Sequence, residues 1–254
     1  MINIGNYVTR KKYGNDIIFK VVKIEDDKVI LHGADLRLYA DADYNDLQLV
    51  TISKKKERNI INVRELDKTD YFYIPGIILH LDSDEDYLEK CKNFYNDQKV
   101  KYYGYKSEEK KYENIVISLI KKHHPNIIVI TGHDAYYKKN NSYKNSNYYI
   151  KSVKKIRSEY SNNDSLIIIA GACQSDFDNL IKSGATFASS PKRINIHALD
   201  PAIIATYIAL TNKNEIINLD EILSKTKYKK DGFGGFEVYG TMKIGMPRKE
   251  INWI

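Results

Sequence analysis

The sequence predicts an α/β protein that is preceded by a small all-β segment. Three observations indicate this: short strand-like runs fill the first 52 residues, a charged stretch follows, and from Tyr71 apolar runs alternate with segments of helical length. The later runs are continuously apolar, as expected for strands covered on both faces. Strands that alternate with helices indicate a parallel sheet with right-handed crossovers.

Residues 1–52 are predicted to form a small SH3-like β-barrel. Turn residues separate five runs, which are NYVTRKK, DIIFKVVKI, KVILHG, LRLYA and LQLV. Short strands at such close spacing are typical of small barrels. Residues 53–70 are charged and have no clean period, so we expect a linker there.

Residues 71–254 are predicted to form the α/β domain. The strand candidates are YIPGIILHLD, VKYYGYKS, NIIVITGHD, LIIIAGACQS and ATFASSP. The helix candidates between them are DEDYLEKCKNFYND, EEKKYENIVISLIKKHH, YYIKSVKKIRSEY and DFDNLIKSG. The glycine-rich DGFGGFE at 231–237 lacks the lysine of a P-loop and is predicted to be a turn.

Composition limits the class of protein. Two cysteines form neither a disulfide framework nor a C-x-x-C pair, which suits a reducing compartment. The net charge of +7 is spread along the chain, so it predicts no obligatory nucleic-acid partner. No signal peptide and no apolar run of roughly 18 residues is found, so we expect an intracellular protein without a membrane span.

Reactive side chains follow three of the predicted strands. Asp82 and Asp84 come after IILHL, His133 after IIVITG and Cys173 after IIIAGA. Open parallel sheets bind ligands at the carboxyl ends of their strands, so these groups should share one edge. If the last two strands are neighbours, about 4.8 Å apart, His133 and Cys173 can face each other.

This pairing predicts nucleophilic catalysis. A neighbouring imidazole lowers the pKa of a thiol or takes its proton, so we expect Cys173 to be the nucleophile and His133 the general base. An isolated cysteine or histidine is more often structural, but matched positions after two similar strands favour catalysis. Backbone N–H groups around Gly132 and Asp134 are candidates for an oxyanion hole.

The second cysteine has a different environment. Cys91 shares a helical face with Leu88 and Tyr95, so we expect it in the core and not in a site. The sequence has no H-E-x-x-H motif and no cysteine cluster, so it predicts neither a metal nor another cofactor.

Several segments together resemble the YabG family of sporulation-specific peptidases. They are IGNYVTRKKYGNDIIFKVVKI, ADLRLYAD, ILHLDSDEDYLEKC, ITGHDAYY, YKNSNYY and AGACQSDFDNLIKSGATFASSPKRINIHALDP. The resemblance covers essentially the whole chain. It implies a cysteine endopeptidase that cleaves spore-coat proteins, with preference for a basic residue before the cut. It also implies a location in the mother-cell cytoplasm or the spore coat of a spore-forming bacterium.

Such peptidases are similar to the caspase, gingipain and legumain clan, which implies a caspase-like, three-layer arrangement for residues 71–254. That clan also places a histidine and a cysteine after neighbouring strands, marked by His-Gly and Ala-Cys. Ala172 and Cys173 match this pattern. His133 departs from it because Asp134 follows where the clan has glycine, so one oxyanion donor would be the backbone N–H of Asp134.

Cleavage after arginine or lysine requires a carboxylate in the substrate pocket. Asp82 or Asp84 is the first choice on geometry, and the alternative is that they cap the following helix. The segment SSPKRINIH can line the groove through Ser189, Ser190 and Arg193, or it is a rigid loop held by its proline.

Two other functions stay open from the residues alone. The first is nucleic-acid binding through the predicted barrel and the basic surface, which salt-sensitive binding would reveal. The second is a thiol hydrolase without proteolytic activity, since a fold alone does not name a substrate.

Overall fold

The computed structural model describes residues 2–25, 28–51, 72–162 and 164–245. The chain divides into two compact units, Met1–Ile61 and Asn62–Ile254. The predicted linker at 53–70 lies outside the described residues.

The first unit contains a five-stranded antiparallel sheet. Its strands are β1 (Tyr7–Arg10), β2 (Phe19–Ile24), β3 (Val29–Gly33), β4 (Tyr39–Ala42) and β5 (Leu47–Leu49). Their order is β4-β3-β2-β1-β5, with antiparallel neighbours throughout. Each predicted strand run contains one of these strands except LRLYA, which overlaps only the first half of β4, and alternate residues such as Val8, Phe19 and Leu31 form the core.

The second unit contains ten strands within the described residues. They are β6 (Phe72–Ile74), β7 (Ile78–Asp82), β8 (Tyr102–Lys106), β9 (Ile127–Thr131), β10 (Tyr136–Tyr137), β11 (Ser142–Tyr143), β12 (Ile167–Ala170), β13 (Phe187–Ser189), β14 (Phe233–Gly235) and β15 (Lys243–Gly245). Six of them form the main sheet in the order β14-β13-β12-β9-β7-β8. Strands β13, β12, β9, β7 and β8 are parallel, and β14 is antiparallel at one edge.

The helices of the second unit come between these strands and after them. They are α1 (Glu85–Asp97), α2 (Tyr112–His123), α3 (Ser146–Glu159), α4 (Phe177–Lys182), α5 (Asp200–Ala209), α6 (Leu219–Ser224) and α7 (Lys229–Gly232). A 3-10 turn, Glu109–Lys111, precedes α2. Within the described ranges, every helix is too short or too polar to span a bilayer.

Helices cover both faces of the main sheet. Alternate strand residues, among them Leu81, Ile130 and Ile168, form one core cluster with residues of α2 and α3. The intervening residues, such as Ile127 and Ile167, are equally buried, and α1 and α5 contact β7, β9 and each other. Because strands buried on both faces lose the polar-apolar alternation, this arrangement explains the continuous apolar runs and confirms the α/β class.

Two local predictions were wrong. The run YIPGIILHLD overlaps two strands and not one: β6 pairs with the distant β15, and β7 belongs to the main sheet. The segment DGFGGFE contains β14 and is not simply a turn. A Cβ on Gly235 would lie 2.5 Å from both the Phe187 ring and the Thr186 carbonyl oxygen, so glycine lets this edge strand approach β13 closely.

Candidate functional site

Three adjacent strands deliver the predicted site residues to one edge of the main sheet. Strand β9 pairs with β12, with Ile130 beside Ala170, and with β7, with Thr131 beside Asp82. His133 and Cys173 therefore each lie three residues beyond a paired position. The prediction that the two similar runs are neighbouring parallel strands is confirmed.

The imidazole of His133 is held by a carboxylate. Its Nε2 lies 2.8 Å from Oδ2 of Asp84, and the Tyr87 ring lies 5.8 Å from it between centroids. A carboxylate accepts, so Nε2 carries the hydrogen and the lone pair of the neutral imidazole is on Nδ1. The His133 side chain is 18% exposed, so this basic group lies near the surface.

Asp84 divides its two oxygens between the helix and the histidine. It is the N-cap residue of α1, where Oδ1 accepts the N–H of Tyr87 at 3.0 Å, while Oδ2 accepts from His133. The backbone N–H of Asp84 donates to Oδ1 of Asp82 at 3.0 Å. The capping alternative is thus confirmed for Asp84. Asp82 is fully buried beside His80. A role of Asp82 or Asp84 in the substrate pocket stays a prediction.

The turn after β9 is fixed by side chains from distant parts of the chain. The His133 N–H donates to Glu109 Oε1 at 3.0 Å, and the His133 carbonyl accepts from Asn145 Nδ2 at 2.8 Å and from the Tyr149 hydroxyl at 3.0 Å. A Cβ on Gly132 would lie 2.8 Å from Glu109 and 2.9 Å from the Tyr149 hydroxyl. Glycine is therefore required for these side chains to reach the histidine backbone.

The thiol of Cys173 is enclosed by the chain. The residue is 1% exposed, and the backbone N–H of Ile196 donates to its Sγ at 3.3 Å. The Ile196 carbonyl oxygen lies 3.9 Å from the same sulfur, where it can accept from the thiol. Burial raises the pKa of Tyr228, and the charges of Asp200 and Cys173 contribute less.

Two serines support the turn that carries Cys173. The Ala172 carbonyl accepts from Ser189 Oγ at 2.7 Å and from Ser190 Oγ at 3.0 Å, and the Gln174 N–H donates to Ser190 Oγ at 3.0 Å. Gly171 adopts a φ of 106°, and a Cβ there would overlap Ser189 Oγ. Ser189 and Ser190, predicted as groove residues, therefore hold the cysteine turn in this conformation.

A cavity of about 250 Å³ lies beside this turn. Its lining residues are Tyr143, Ser175, Asp176, Phe177, Asp178, Ser190, Pro191, Lys192 and Arg193. Two of the three predicted groove residues, Ser190 and Arg193, are among them. The guanidinium of Arg193 lies over the Tyr136 ring, 4.5 Å from its centroid, so the β10–β11 hairpin forms one wall.

The side chain of Asp134 accepts four hydrogen bonds, although sequence reasoning considered only its backbone. Oδ1 accepts the N–H groups of Ala135 at 2.8 Å and Asn145 at 2.7 Å. Oδ2 accepts from the hydroxyls of Ser146 and, at 2.9 Å, Ser175. Burial raises the pKa of this carboxyl despite the four donors. The only sequence signal was an aspartate where the resembling clan has glycine.

Cys91 occupies the position expected for a core residue. It lies on α1, is fully buried, and is 3.5 Å from the Ala198 carbonyl oxygen. The two cysteines thus lie in different settings, one inside a helix and one in a turn after a strand.

The fold and the site define an α/β protein with a buried thiol, an imidazole and carboxylates at the carboxyl edge of its parallel strands, where α/β enzymes bind ligands. The chain belongs to the family described as YabG peptidase U57, whose model matches residues 3–65 and 52–247. The sporulation-specific protease YabG of Bacillus subtilis (strain 168) is 40% identical over 284 residues, covering 97% of this chain and 98% of that protein. The family resemblance found in the sequence is confirmed, and membership supports a protease.

Proposed function

We propose that the chain is a cysteine endopeptidase in which Cys173 is the nucleophile and His133 the general base. The observation that carries the proposal is the shared edge: both residues follow strands that pair directly and in parallel. The hydrogen bond from His133 Nε2 to Asp84 supports it, because it fixes the tautomer that leaves Nδ1 basic.

The chemistry follows the general pattern of thiol acyl transfer. His133 Nδ1 takes the thiol proton, and the Cys173 sulfur adds to the scissile carbonyl carbon. Backbone N–H groups around Gly132 and Asp134 stabilise the resulting oxyanion. The C–N bond then breaks as the imidazolium returns the proton to the leaving amine, which leaves a thioester that water hydrolyses. Asp84 orients the imidazole and stabilises its charged form.

Substrate entry requires a movement near the thiol. Cys173 is nearly inaccessible, and the Ile196 backbone lies against its sulfur. A peptide carbonyl can reach the sulfur only after the chain around Ile196 shifts. The cavity beside the turn, with Ser190 and Arg193 in its lining, is the proposed start of the substrate groove.

The proposed substrates are spore-coat and related spore proteins, cut after arginine or lysine in the mother cell or at the spore coat. The name of the Bacillus subtilis relative, a sporulation-specific protease, supports the setting.

The pocket carboxylate remains Asp82 or Asp84 as predicted. Asp176 and Asp178 line the cavity and are the competing pair. Asparagine variants at all four positions would decide between them by loss of the preference for arginine or lysine before the cut, since a loss of rate alone would not separate a pocket role from the pairing of Asp84 with His133.

We further propose the finer architecture that the sequence predicts. The antiparallel sheet of the first unit supports an SH3-like barrel at 1–52, and the helix-covered sheet supports a caspase-like peptidase domain at 71–254. Residues 53–70 would connect them.

The test is mass-spectrometric mapping of cut sites in a coat-protein extract and in a peptide library. Wild-type protein should produce new termini after basic residues, whereas Cys173→Ala should produce none. Cys91→Ala is the matched control and should cut like the wild type. Full cleavage by a folded Cys173→Ala variant would end the proposal, and cleavage of thioesters without peptides would favour the non-proteolytic thiol hydrolase.

A further inference from the structure

We propose that the Asp134 side chain is a positioning residue that ties the turn carrying His133 to the turn carrying Cys173. The inference rests on the proposed function and adds a role for a carboxylate outside the reacting groups. Asp134 directly follows His133, and at 9% exposure it is shielded from water, so its hydrogen bonds are made within the protein.

Two serine hydroxyls connect this carboxylate to the cysteine turn. Ser175 Oγ accepts the N–H of Ala172 at 2.8 Å and donates to Asp134 Oδ2 at 2.9 Å. Ser146 Oγ accepts the N–H of Asp176 at 2.8 Å and also donates to Oδ2. The two backbone N–H groups bracket Cys173 in the chain, so one oxygen atom holds the cysteine turn on both sides.

The other carboxylate oxygen serves the histidine turn. Oδ1 accepts the N–H of Asn145, whose side-chain amide in turn donates to the His133 carbonyl at 2.8 Å. Asp134 thus fixes the backbone of its own turn with one oxygen and the opposite turn with the other. A displacement of either turn would stretch hydrogen bonds shared by both.

The chemistry of the acceptor explains why this position requires an aspartate. Only a carboxylate offers two oxygens that can together accept four hydrogen bonds. An asparagine of the same shape would turn an N–H₂ group toward two donors and leave them unsatisfied. Such a change should shift the sulfur against the imidazole while leaving both groups present, and catalysis is sensitive to displacements of about 1 Å.

The variants are Asp134→Asn, Ser175→Ala and the double variant, with the exposed Asp220→Asn as control. The probe is a fluorogenic peptide with arginine before the cut, and active sites are titrated with an irreversible thiol-directed inhibitor. We expect Asp134→Asn to lower kcat per titrated site by at least about 10-fold, with KM changed less than about 2-fold. The double variant should be little worse than Asp134→Asn, because the serine acts through the carboxylate.

A purely structural role would lower the melting temperature or the titrated fraction but leave kcat per site unchanged, and that result overturns the inference. If the losses of kcat per site in Asp134→Asn and Ser175→Ala multiply in the double variant, the two residues act independently, and that result overturns the inference as well. If Asp134→Asn does not fold, Ser175→Ala and Ser146→Ala decide, since each removes one link and should lower kcat per site. Full activity of Cys173→Ala would instead refute the proposed function itself, and the inference with it.

Discussion

The ends of β9 and β12 look alike in the sequence but are built differently. Both strands are buried apolar runs followed by a glycine; His133 comes directly after its glycine, and Cys173 comes one residue later, after Ala172. The histidine turn is held by Glu109, Asn145 and Tyr149, which lie before and after it in the chain. The cysteine turn is held by serines from its own loop and from the end of β13. Local pattern thus sets where a reactive group lies, and residues distant in sequence set its orientation.

The two turns also differ in accessibility. The His133 side chain is partly exposed and already paired with Asp84, whereas Cys173 is covered and has a backbone N–H directed at its sulfur. In the proposed mechanism the base would therefore be in place before substrate arrives, while the nucleophile would become accessible only when its surroundings move. If the proposal holds, substitutions in the histidine turn should alter the rate of the chemical step, and substitutions in the cysteine turn should also alter the access of substrate to the sulfur.

The largest expected effect comes from removing the base. His133→Ala should lower kcat by about 10³-fold, because the proposed mechanism assigns the thiol proton to this imidazole and general-base catalysis is worth about 10² to 10⁴. The measurement is the initial cleavage rate of the fluorogenic peptide. A loss smaller than about 10-fold in a folded variant would show that the imidazole is not the base.

The carboxylate behind the imidazole should come next. Asp84→Asn keeps a side-chain oxygen for the α1 cap but loses the anionic acceptor for His133, so we expect kcat to fall by about 10²-fold with little change in melting temperature. Asp84→Ala loses the cap as well and should cost about 1 kcal/mol of stability in addition. Equal kcat values for Asp84→Asn and wild type would remove Asp84 from the site.

The glycines of the two turns can be compared through the stability of their alanine variants. Gly171 has both a positive φ and a close contact to Ser189, whereas Gly132 has only close contacts. Gly171→Ala should therefore destabilise more than Gly132→Ala, by roughly 3 against 2 kcal/mol. Urea unfolding monitored by circular dichroism measures both values, and the reverse order would contradict the account of the turns.

The smallest effect is expected for the other thiol. Cys91→Ala removes a buried sulfur from the α1 core and should cost about 1 kcal/mol in unfolding free energy without changing kcat. Thermal unfolding and peptide cleavage measure the two quantities. A large loss of kcat at full folding would give Cys91 a role that its position does not explain.

Much of the fold and the core of the site could be predicted because they depend on local pattern. Continuous apolar runs marked the central strands, and parallel topology then required His133 and Cys173 to share an edge. The Asp134 network escaped prediction because its serines lie 12 and 41 positions away in sequence. Strand β14 was not predicted because its glycine-rich sequence resembles a turn, whereas its pairing with β13 depends on the absence of side chains there.

The most direct measurement of the central claim is the site of covalent attachment of a peptidyl acyloxymethyl ketone with arginine next to the reactive group. Wild-type protein, digested and analysed by mass spectrometry after loss of activity, should carry the adduct on Cys173. His133→Ala should react far more slowly at the same residue. An adduct on Cys91, or complete inactivation with Cys173 unmodified, would contradict the proposed nucleophile.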